Sequence, residues 1–173
     1  MNTLTSSLEF SHFPVMLSEI IQIASPEKGG LFIDCTFGGG SYSNALLKFP
    51  KTKVIGIDRD EAVISRANEL QKKYQKRFKF YQIKFSELDK ILNKNADTII
   101  FDLGLSSIQL KNLNRGFSFK SKNKLDMAMG LNNISAQEAI NNLSEKHLKL
   151  IIKILGEETE ASNIAKNIIK ARS

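Results

Sequence analysis

Leu31-Phe32-Ile33-Asp34-Cys35-Thr36-Phe37-Gly38-Gly39-Gly40 is the stretch of sequence that decides the fold. Its apolar part predicts a buried β-strand, and its glycines predict a tight turn at the carboxyl end of that strand. Glycines allow positive φ and let a ligand approach the backbone closely. The residues from Ser41 onward predict a helix whose first N–H groups face such a ligand. The alternative is a tight turn that binds nothing.

Three further apolar runs alternate with helical patterns, namely Val54–Asp58, Phe78–Phe85 and Thr98–Leu103. Between the first two of them, helical spacing predicts a helix that is capped by Asp60 and buries one face, made of Val63, Ala67, Leu70 and Tyr74. Short apolar runs between helices favour parallel strands that are covered on both faces. The predicted class is therefore α/β, with a doubly wound, Rossmann-like sheet of about four strands and right-handed crossovers.

The pattern changes after Leu103, because residues 104–134 are irregular and only helical patterns follow. A capping box at Ser135 and Glu138 begins the first of these helices, and Gly156 ends the second. The last one has an apolar face that little remaining sequence can cover, and no pattern indicates a fifth strand. Two interpretations stay open: a compact four-stranded domain with a helical tail, or a piece of a longer protein.

Composition excludes several classes of protein. The chain has 173 residues, 42% of them hydrophobic and 25% charged, which is typical of one globular domain. A single cysteine, Cys35, excludes a disulfide framework and a cysteine zinc site. No apolar run approaches the roughly 18 residues of a membrane span, and the N-terminus lacks a signal-peptide pattern. We therefore expect a cytoplasmic protein with no membrane association.

The net charge of +7 fits an anionic partner such as nucleic acid. Only five of the 25 basic residues are arginines, however, and the forked guanidinium is the usual grip for phosphate. A lysine-rich surface without a nucleic-acid partner is the alternative. Of the two histidines, we expect His12 to be a packed or capping residue and His147 to be solvated. No spacing indicates a metal site or a nucleophile elbow.

Two acidic residues follow later strands. Asp58 lies twenty positions after Gly38, and in nucleotide-binding sheets an acid at about that separation accepts hydrogen bonds from ribose hydroxyls. The alternative is a solvated acid that pairs with Arg59 or caps the next helix. Asp102 begins a loop that also carries two hydroxyls and the amide of Gln109, at the sheet edge where α/β folds bind ligands. An ordinary connecting loop is the alternative.

Six sequence blocks in this order resemble the bacterial ribosomal RNA small-subunit methyltransferase H family: His12–Leu17, Asp34–Gly40, Gly56–Asp60, Asp102–Leu110, Arg115–Phe119 and Leu125–Met127. The resemblance is dense over residues 10–130. It implies a class I methyltransferase that uses S-adenosylmethionine to methylate N4 of one cytidine in the 16S rRNA of the small ribosomal subunit. It also implies that residues 1–130 form the N-terminal part of the S-adenosylmethionine-binding domain, and that residues 131–173 begin an all-helical insert.

The resemblance implies a cofactor site built from several strand ends, which comprises Gly40, Ser41 and Tyr42 on the glycine turn, Asp58 on the ribose, Phe85 beside the adenine, and Asp102 and Gln109 after the fourth strand. Phe85 follows from the resemblance alone, because its pattern is that of an apolar residue at a strand end. The resemblance identifies no catalytic residue and implies no metal.

The sequence departs from the family at three points. Ser41-Tyr42 stands where the family commonly has Gly-His, and we expect the Tyr42 ring to pack against the cofactor. Ala128 stands where the family typically has arginine, a loss that weakens contacts with RNA or within the loop. The family also continues beyond the helical insert with later sheet strands, which are not in this sequence.

Basic residues that we expect to hold RNA phosphates follow the fourth strand: Lys111, Arg115, Lys120, Lys122 and Lys124. We expect the Asp102 loop, with Ser106, to border the amine of the target base. One rival is an NAD-dependent oxidoreductase on the same sheet, against which Ser43 argues because it occupies the third glycine position of the dinucleotide fingerprint. The other is a fragment that binds cofactor or RNA without turnover.

Overall fold

The computed structural model describes residues 14–93, 95–131 and 134–172, and its centre is a parallel β-sheet. The strands are β1 (Gly30–Asp34), β2 (Thr52–Asp58), β3 (Phe78–Gln82) and β4 (Thr98–Ile100), in the spatial order β3-β2-β1-β4. All three neighbouring pairs are parallel. The four-stranded, Rossmann-like α/β class expected from the sequence is confirmed.

Helices precede, connect and follow the strands: α1 (Leu17–Ala24), α2 (Ser41–Leu46), α3 (Ile64–Tyr74), α4 (Ser107–Lys111), α5 (Ala136–Asn142), α6 (Glu145–Leu155) and α7 (Ala161–Ala171). The chain packs as two compact units that divide within α4, between Ile108 and Gln109. The first unit holds the sheet with α1 to α3, and the described elements of the second are helical. These units describe packing, and the functional boundary at residue 130 stays a prediction.

Two apolar clusters cover the two faces of the sheet. On one face, α2 and α3 pack against Phe32, Val54 and Phe78. The opposite face carries Ile33 and Ile57, against which the segment around the 3-10 helix Phe85–Lys90 packs. Burial of each such side chain contributes about 1.5–3 kcal/mol, so the strands need apolar residues on both faces. This is why they appear in the sequence as continuous apolar runs.

The helix predicted after β2 is confirmed as α3. Of the predicted apolar face, Val63, Ala67 and Leu70 are buried and Tyr74 packs against them. Asp60 caps the start of this segment, since its Oδ1 accepts a hydrogen bond from the Ala62 N–H at 3.1 Å.

Three strands end earlier than their apolar runs indicate. β1 ends at Asp34, β3 at Gln82 and β4 at Ile100. The apolar residues beyond these points leave the ladder, and some of them still pack against the sheet. Phe37, for example, is 2% exposed and its ring packs 5.2 Å from that of Phe80. Phe85 is therefore the first residue of a 3-10 helix rather than the end of a strand.

The second unit begins its regular helices at the predicted capping box. The Ser135 hydroxyl accepts the Glu138 N–H, and the Glu138 carboxylate accepts the Ser135 N–H. α6 ends at Leu155, one residue before Gly156. The left-handed residue that follows is Glu157 rather than Gly156. None of the described helices has both the length and the apolar composition of a membrane span.

A carboxylate is fully buried at the carboxyl end of β1. Asp34 is 0% exposed, and the Ser43 hydroxyl on α2 donates to its Oδ2 at 2.7 Å. Burial raises the pKa of Asp34 to about 6, and the Ser43 hydrogen bond opposes that rise only in part. The bond ties α2 to the first strand, at the cost of a carboxyl that ionises reluctantly.

Asp34 should make the folded state less stable as pH rises. Its pKa lies near 3.8 in the unfolded chain and near 6 in the folded one. Between these values the unfolded chain has already lost the proton, so the free energy of unfolding falls by about 3 kcal/mol across pH 4–6. Asp34→Asn removes this component. Urea unfolding should show a smaller loss between pH 4 and pH 8 in the variant than in the parent, and equal losses would contradict the assignment.

Candidate functional site

The turn after β1 has the tight geometry that its glycines predict. The Gly40 N–H donates to the Phe37 carbonyl at 2.7 Å, which closes the turn before α2 begins. Gly40 has φ 73°, and a Cβ placed on it would lie 2.7 Å from the Phe37 ring. Glycine is therefore required at this position by both conformation and space.

Asp58 joins the end of β2 to this turn. Its Oδ2 accepts the Gly38 N–H at 2.8 Å, and its Oδ1 accepts the Asp60 N–H at 2.9 Å. Burial raises the pKa of Asp58, and these hydrogen bonds to backbone N–H groups oppose the rise. A carboxylate offers about four acceptor sites, so Asp58 keeps acceptor capacity for a ligand while it holds the backbone.

A second set of hydrogen bonds joins the end of β4 to the end of β1. The Cys35 N–H donates to the Ile100 carbonyl at 2.9 Å, and the Asp102 N–H donates to the Thr36 hydroxyl at 2.7 Å. Asp102 itself is exposed. The carboxylates of Asp58 and Asp102 therefore flank the glycine turn on the two sides of β1.

Tyr42 connects the Asp102 loop to the segment before α1. Its hydroxyl donates to the Val15 carbonyl at 2.6 Å and lies 3.3 Å from Asp102 Oδ2. Burial, together with the negative charge of Asp102, raises the pKa of Tyr42 to about 12. The ring is 4% exposed and belongs to the core under the sheet, so it has little surface for a ligand. The hydroxyl is the part of Tyr42 that borders the site.

Two exposed aromatic rings meet beyond the carboxyl ends of the strands. Phe85 and Phe101 are 46% and 48% exposed, and their centroids lie 5.5 Å apart with the rings at 88°. Phe85 follows β3 and Phe101 follows β4, which lie at opposite sides of the sheet, so the chain after β3 crosses toward β4. Phe101 was not predicted as a site residue from the sequence, because the apolar run of β4 continues through Phe101 and predicts a strand residue there.

The loop after β4 lies over the glycine turn. A Cβ placed on Gly38 would be 3.9 Å from the Ser106 Cβ, and the other atom within 4 Å is the Thr36 carbonyl oxygen. The turn thus presents bare backbone beside the Ser106 side chain. Ser41 is the half-exposed first residue of α2.

Gln109 and the predicted phosphate-binding residues belong to the second unit. Gln109 is buried in α4. The four lysines of the predicted set are exposed, but Arg115 is half-buried, donates to the Ala128 carbonyl and lies 5.5 Å from the Phe117 ring. Arg115 thus holds the loop through the backbone of Ala128.

The remaining candidates add no second site. His147 is exposed on α6, and His12 lies outside the described residues. Within the described ranges, no three His, Cys, Asp or Glu side chains gather closely enough to hold a metal ion.

Asp58→Ala should loosen the glycine turn. The substitution leaves the Gly38 and Asp60 N–H groups without their acceptor, which costs about 1–3 kcal/mol locally. Hydrogen exchange of the Gly38 amide should become about tenfold faster or more. Asp89→Ala removes an exposed carboxylate and should leave that exchange unchanged. Unchanged exchange in Asp58→Ala would show that the bond does not hold the turn.

Comparison with known proteins gives a consistent result. Ribosomal RNA small subunit methyltransferase H from Rickettsia massiliae (strain Mtu5) is 43% identical over 163 residues, which cover 94% of this chain and 53% of the relative. The protein of the same name from Orientia tsutsugamushi (strain Boryong) is 44% identical over 163 residues, 93% of this chain and 52% of the relative. The chain thus spans about half the length of these curated relatives.

Among solved structures, a candidate rRNA-methylase from Clostridium thermocellum aligns with a TM-score of 0.47 and 16% identity, over 55% of this chain and 54% of that one. The model of the MraW methylase family matches residues 9–173, almost from end to end of the chain. This match, with the relatives at 43% and 44% identity, establishes that the chain belongs to the MraW methylase family.

Proposed function

We propose that this chain binds S-adenosylmethionine at the carboxyl edge of the sheet and serves to methylate N4 of a cytidine in the 16S rRNA of the small ribosomal subunit. The observation that carries the proposal is the hydrogen-bonded junction of three strand ends, which sets the Asp58 and Asp102 carboxylates on either side of the Gly38 turn. The printed names of the relatives support an rRNA substrate of the small subunit. Since we propose an rRNA substrate, we also propose that the protein acts in the cytoplasm.

The chemistry of the junction suits S-adenosylmethionine. The cofactor carries a ribose diol, which Asp58 can accept with its remaining acceptor sites. Its sulfonium and ammonium groups are positive, and the nearby Asp102 carboxylate is a suitable counter-charge. Its adenine is a flat ring, and the exposed Phe85 offers a flat apolar surface. Gly40, Ser41, Tyr42 and Gln109 complete the proposed cofactor set.

When bound, S-adenosylmethionine supplies a methyl group on a sulfonium. The residues of the chain then have to place the amine of the cytosine in line with it, and correct placement contributes roughly 7–11 kcal/mol toward such a reaction. The amine is a weak nucleophile, because its lone pair is delocalised into the ring. Asp102 and Ser106 are the acceptors that turn the lone pair toward the methyl group. The amine loses a proton after methylation, so a strong base is not required.

The target base has to leave its stack to enter this site. A nucleotide in flexible, single-stranded RNA unstacks at the lowest cost. Lys111, Lys120, Lys122 and Lys124 are exposed, and we propose that they hold phosphates of the RNA.

Asp102→Ala should weaken S-adenosylmethionine binding by about 10- to 100-fold in isothermal titration calorimetry, because it removes a charge-assisted hydrogen bond. Asp89→Ala, which removes an exposed carboxylate after β3, should bind like the parent chain. Near-parental affinity of Asp102→Ala would remove Asp102 from the site. Binding of NAD in place of S-adenosylmethionine would contradict the proposed cofactor.

Methyl transfer is tested by incubating the chain with tritiated S-adenosylmethionine and small ribosomal subunits that lack the modification. Label in 16S rRNA, at N4 of a cytidine, is the expected result. Binding of the cofactor without transfer of label would assign the chain a binding role and contradict the proposal that it performs the reaction.

A further inference from the structure

A basic cavity lies on the sheet away from the carboxyl edge. Its volume is about 320 Å³, and it runs along β2 from Lys53 to Ile55 and along β3 from Lys79 to Tyr81. Apolar side chains, from Leu31, Ile55 and Ile91, form part of its lining. Three exposed lysines also line the cavity: Lys53, Lys76 and Lys79.

The strand register places two of these lysines on one face of the sheet. Lys53 pairs with Leu31 across β1 and β2, and Lys79 pairs with Ile55 across β2 and β3. Because Lys53 and Ile55 are two residues apart on β2, they point to the same face. Lys53 and Lys79 are thus diagonal neighbours on one face of the sheet, and both are exposed.

Within the part of the chain that the structure describes, Lys53, Lys76 and Lys79 belong to neither of the ion pairs Arg66–Glu69 and Lys90–Glu87. The residues that line the cavity include no Asp or Glu, and the nearby Asp97 carboxylate accepts the Leu31 N–H at 2.7 Å. Positive charges on neighbouring side chains repel each other, so an anion bound between them would be favoured.

The fourth basic residue that lines the cavity, Arg77, already has partners within the protein. The Arg77 guanidinium donates to the carbonyls of Leu47 and Phe49 at 3.0 Å and lies 5.3 Å from the Tyr74 ring. It contributes positive charge but is held by the protein backbone. The three lysines are the groups that remain available to an anionic ligand.

We propose that this cavity binds the phosphate backbone of the RNA substrate, at a segment separate from the target nucleotide. The proposal rests on the proposed function, since it takes RNA as the substrate. Flexible ammonium groups contact phosphates as point charges, and Tyr81, which also lines the cavity, offers a ring on which a base can stack. From Lys53 to Asp58, β2 spans about 17 Å, so the phosphates that Lys53 would bind lie apart from the Asp58 carboxylate.

Lys53→Gln/Lys79→Gln tests the cavity by fluorescence anisotropy with a short, labelled single-stranded RNA over a series of salt concentrations. Loss of two phosphate contacts should weaken binding about tenfold at low salt and reduce the slope of log K against log salt by about 1.4. The matched control is Lys72→Gln/Lys149→Gln, which removes two exposed lysines outside the cavity. It should keep the parental affinity and slope.

Equal weakening in both double variants would overturn the proposal, because it would show a general effect of charge. Parental affinity and slope in Lys53→Gln/Lys79→Gln would overturn it as well. Calorimetry with S-adenosylmethionine on the same variants separates this proposal from the proposed function. If the variants bind the cofactor normally and their RNA binding is unaltered, only the proposed RNA site in the cavity is refuted. If no cofactor binds but RNA binding is selectively weakened, the proposed methyl donor is refuted and the RNA site in the cavity stands.

Discussion

The hydrogen bond from the Gly38 N–H to the Asp58 carboxylate is the constraint on which the rest of the site depends. It fastens the turn after β1 to the end of β2 across 2.8 Å. The hydrogen bond from the Asp102 N–H to the Thr36 hydroxyl joins the end of β4 to the end of β1. Burial of Asp58 disfavours its charged form and raises its pKa, and the N–H donors offset only part of that penalty. The carboxylate is therefore held in place and keeps lone pairs free for a ligand.

The distribution of charge on the sheet fits the two ligands that we propose for this chain, S-adenosylmethionine and RNA. The carboxyl edge carries Asp58 and Asp102 beside bare backbone, which suits a small cofactor with cationic groups. The amino-terminal half carries Lys53 and Lys79 without an acidic partner among the described residues, which suits a polyanion. Because the negative and the positive side chains lie at different places on the sheet, their charges do not neutralise each other within the protein.

Much of the fold could be predicted from the sequence, because burial on both faces of a parallel sheet leaves a continuous apolar run for each strand. The buried face of α3 and the cap at Asp60 were predicted for similar reasons, since both depend on residues close in sequence. Strand ends were predicted less well. Phe37 and Phe85 continue the apolar runs of β1 and β3 although they lie beyond the ends of these strands. Hydrophobicity alone does not distinguish a strand residue from an apolar residue that follows the strand.

The candidate site was predicted in part. Strand order brings Gly38, Asp58 and Asp102 to one edge, and the motifs that follow each strand named all three. The interactions that join them could not be predicted, because they depend on register and on which N–H meets which oxygen. The same holds for the Phe85–Phe101 contact and for the basic cavity, whose lysines are scattered in sequence and adjacent only through the pairing of β2 with β3. The cofactor-binding roles of all seven residues remain predictions: Gly40, Ser41, Tyr42, Asp58, Phe85, Asp102 and Gln109.

The central claim is that three strand ends form one binding site for S-adenosylmethionine, and amide NMR of the chain during titration with that compound tests it most directly. The account predicts that the amide signals of Gly38, Asp60 and Asp102 shift together and saturate at one common ligand concentration. Signals of these amides that stay fixed at saturating cofactor, or that shift with separate affinities, would contradict it.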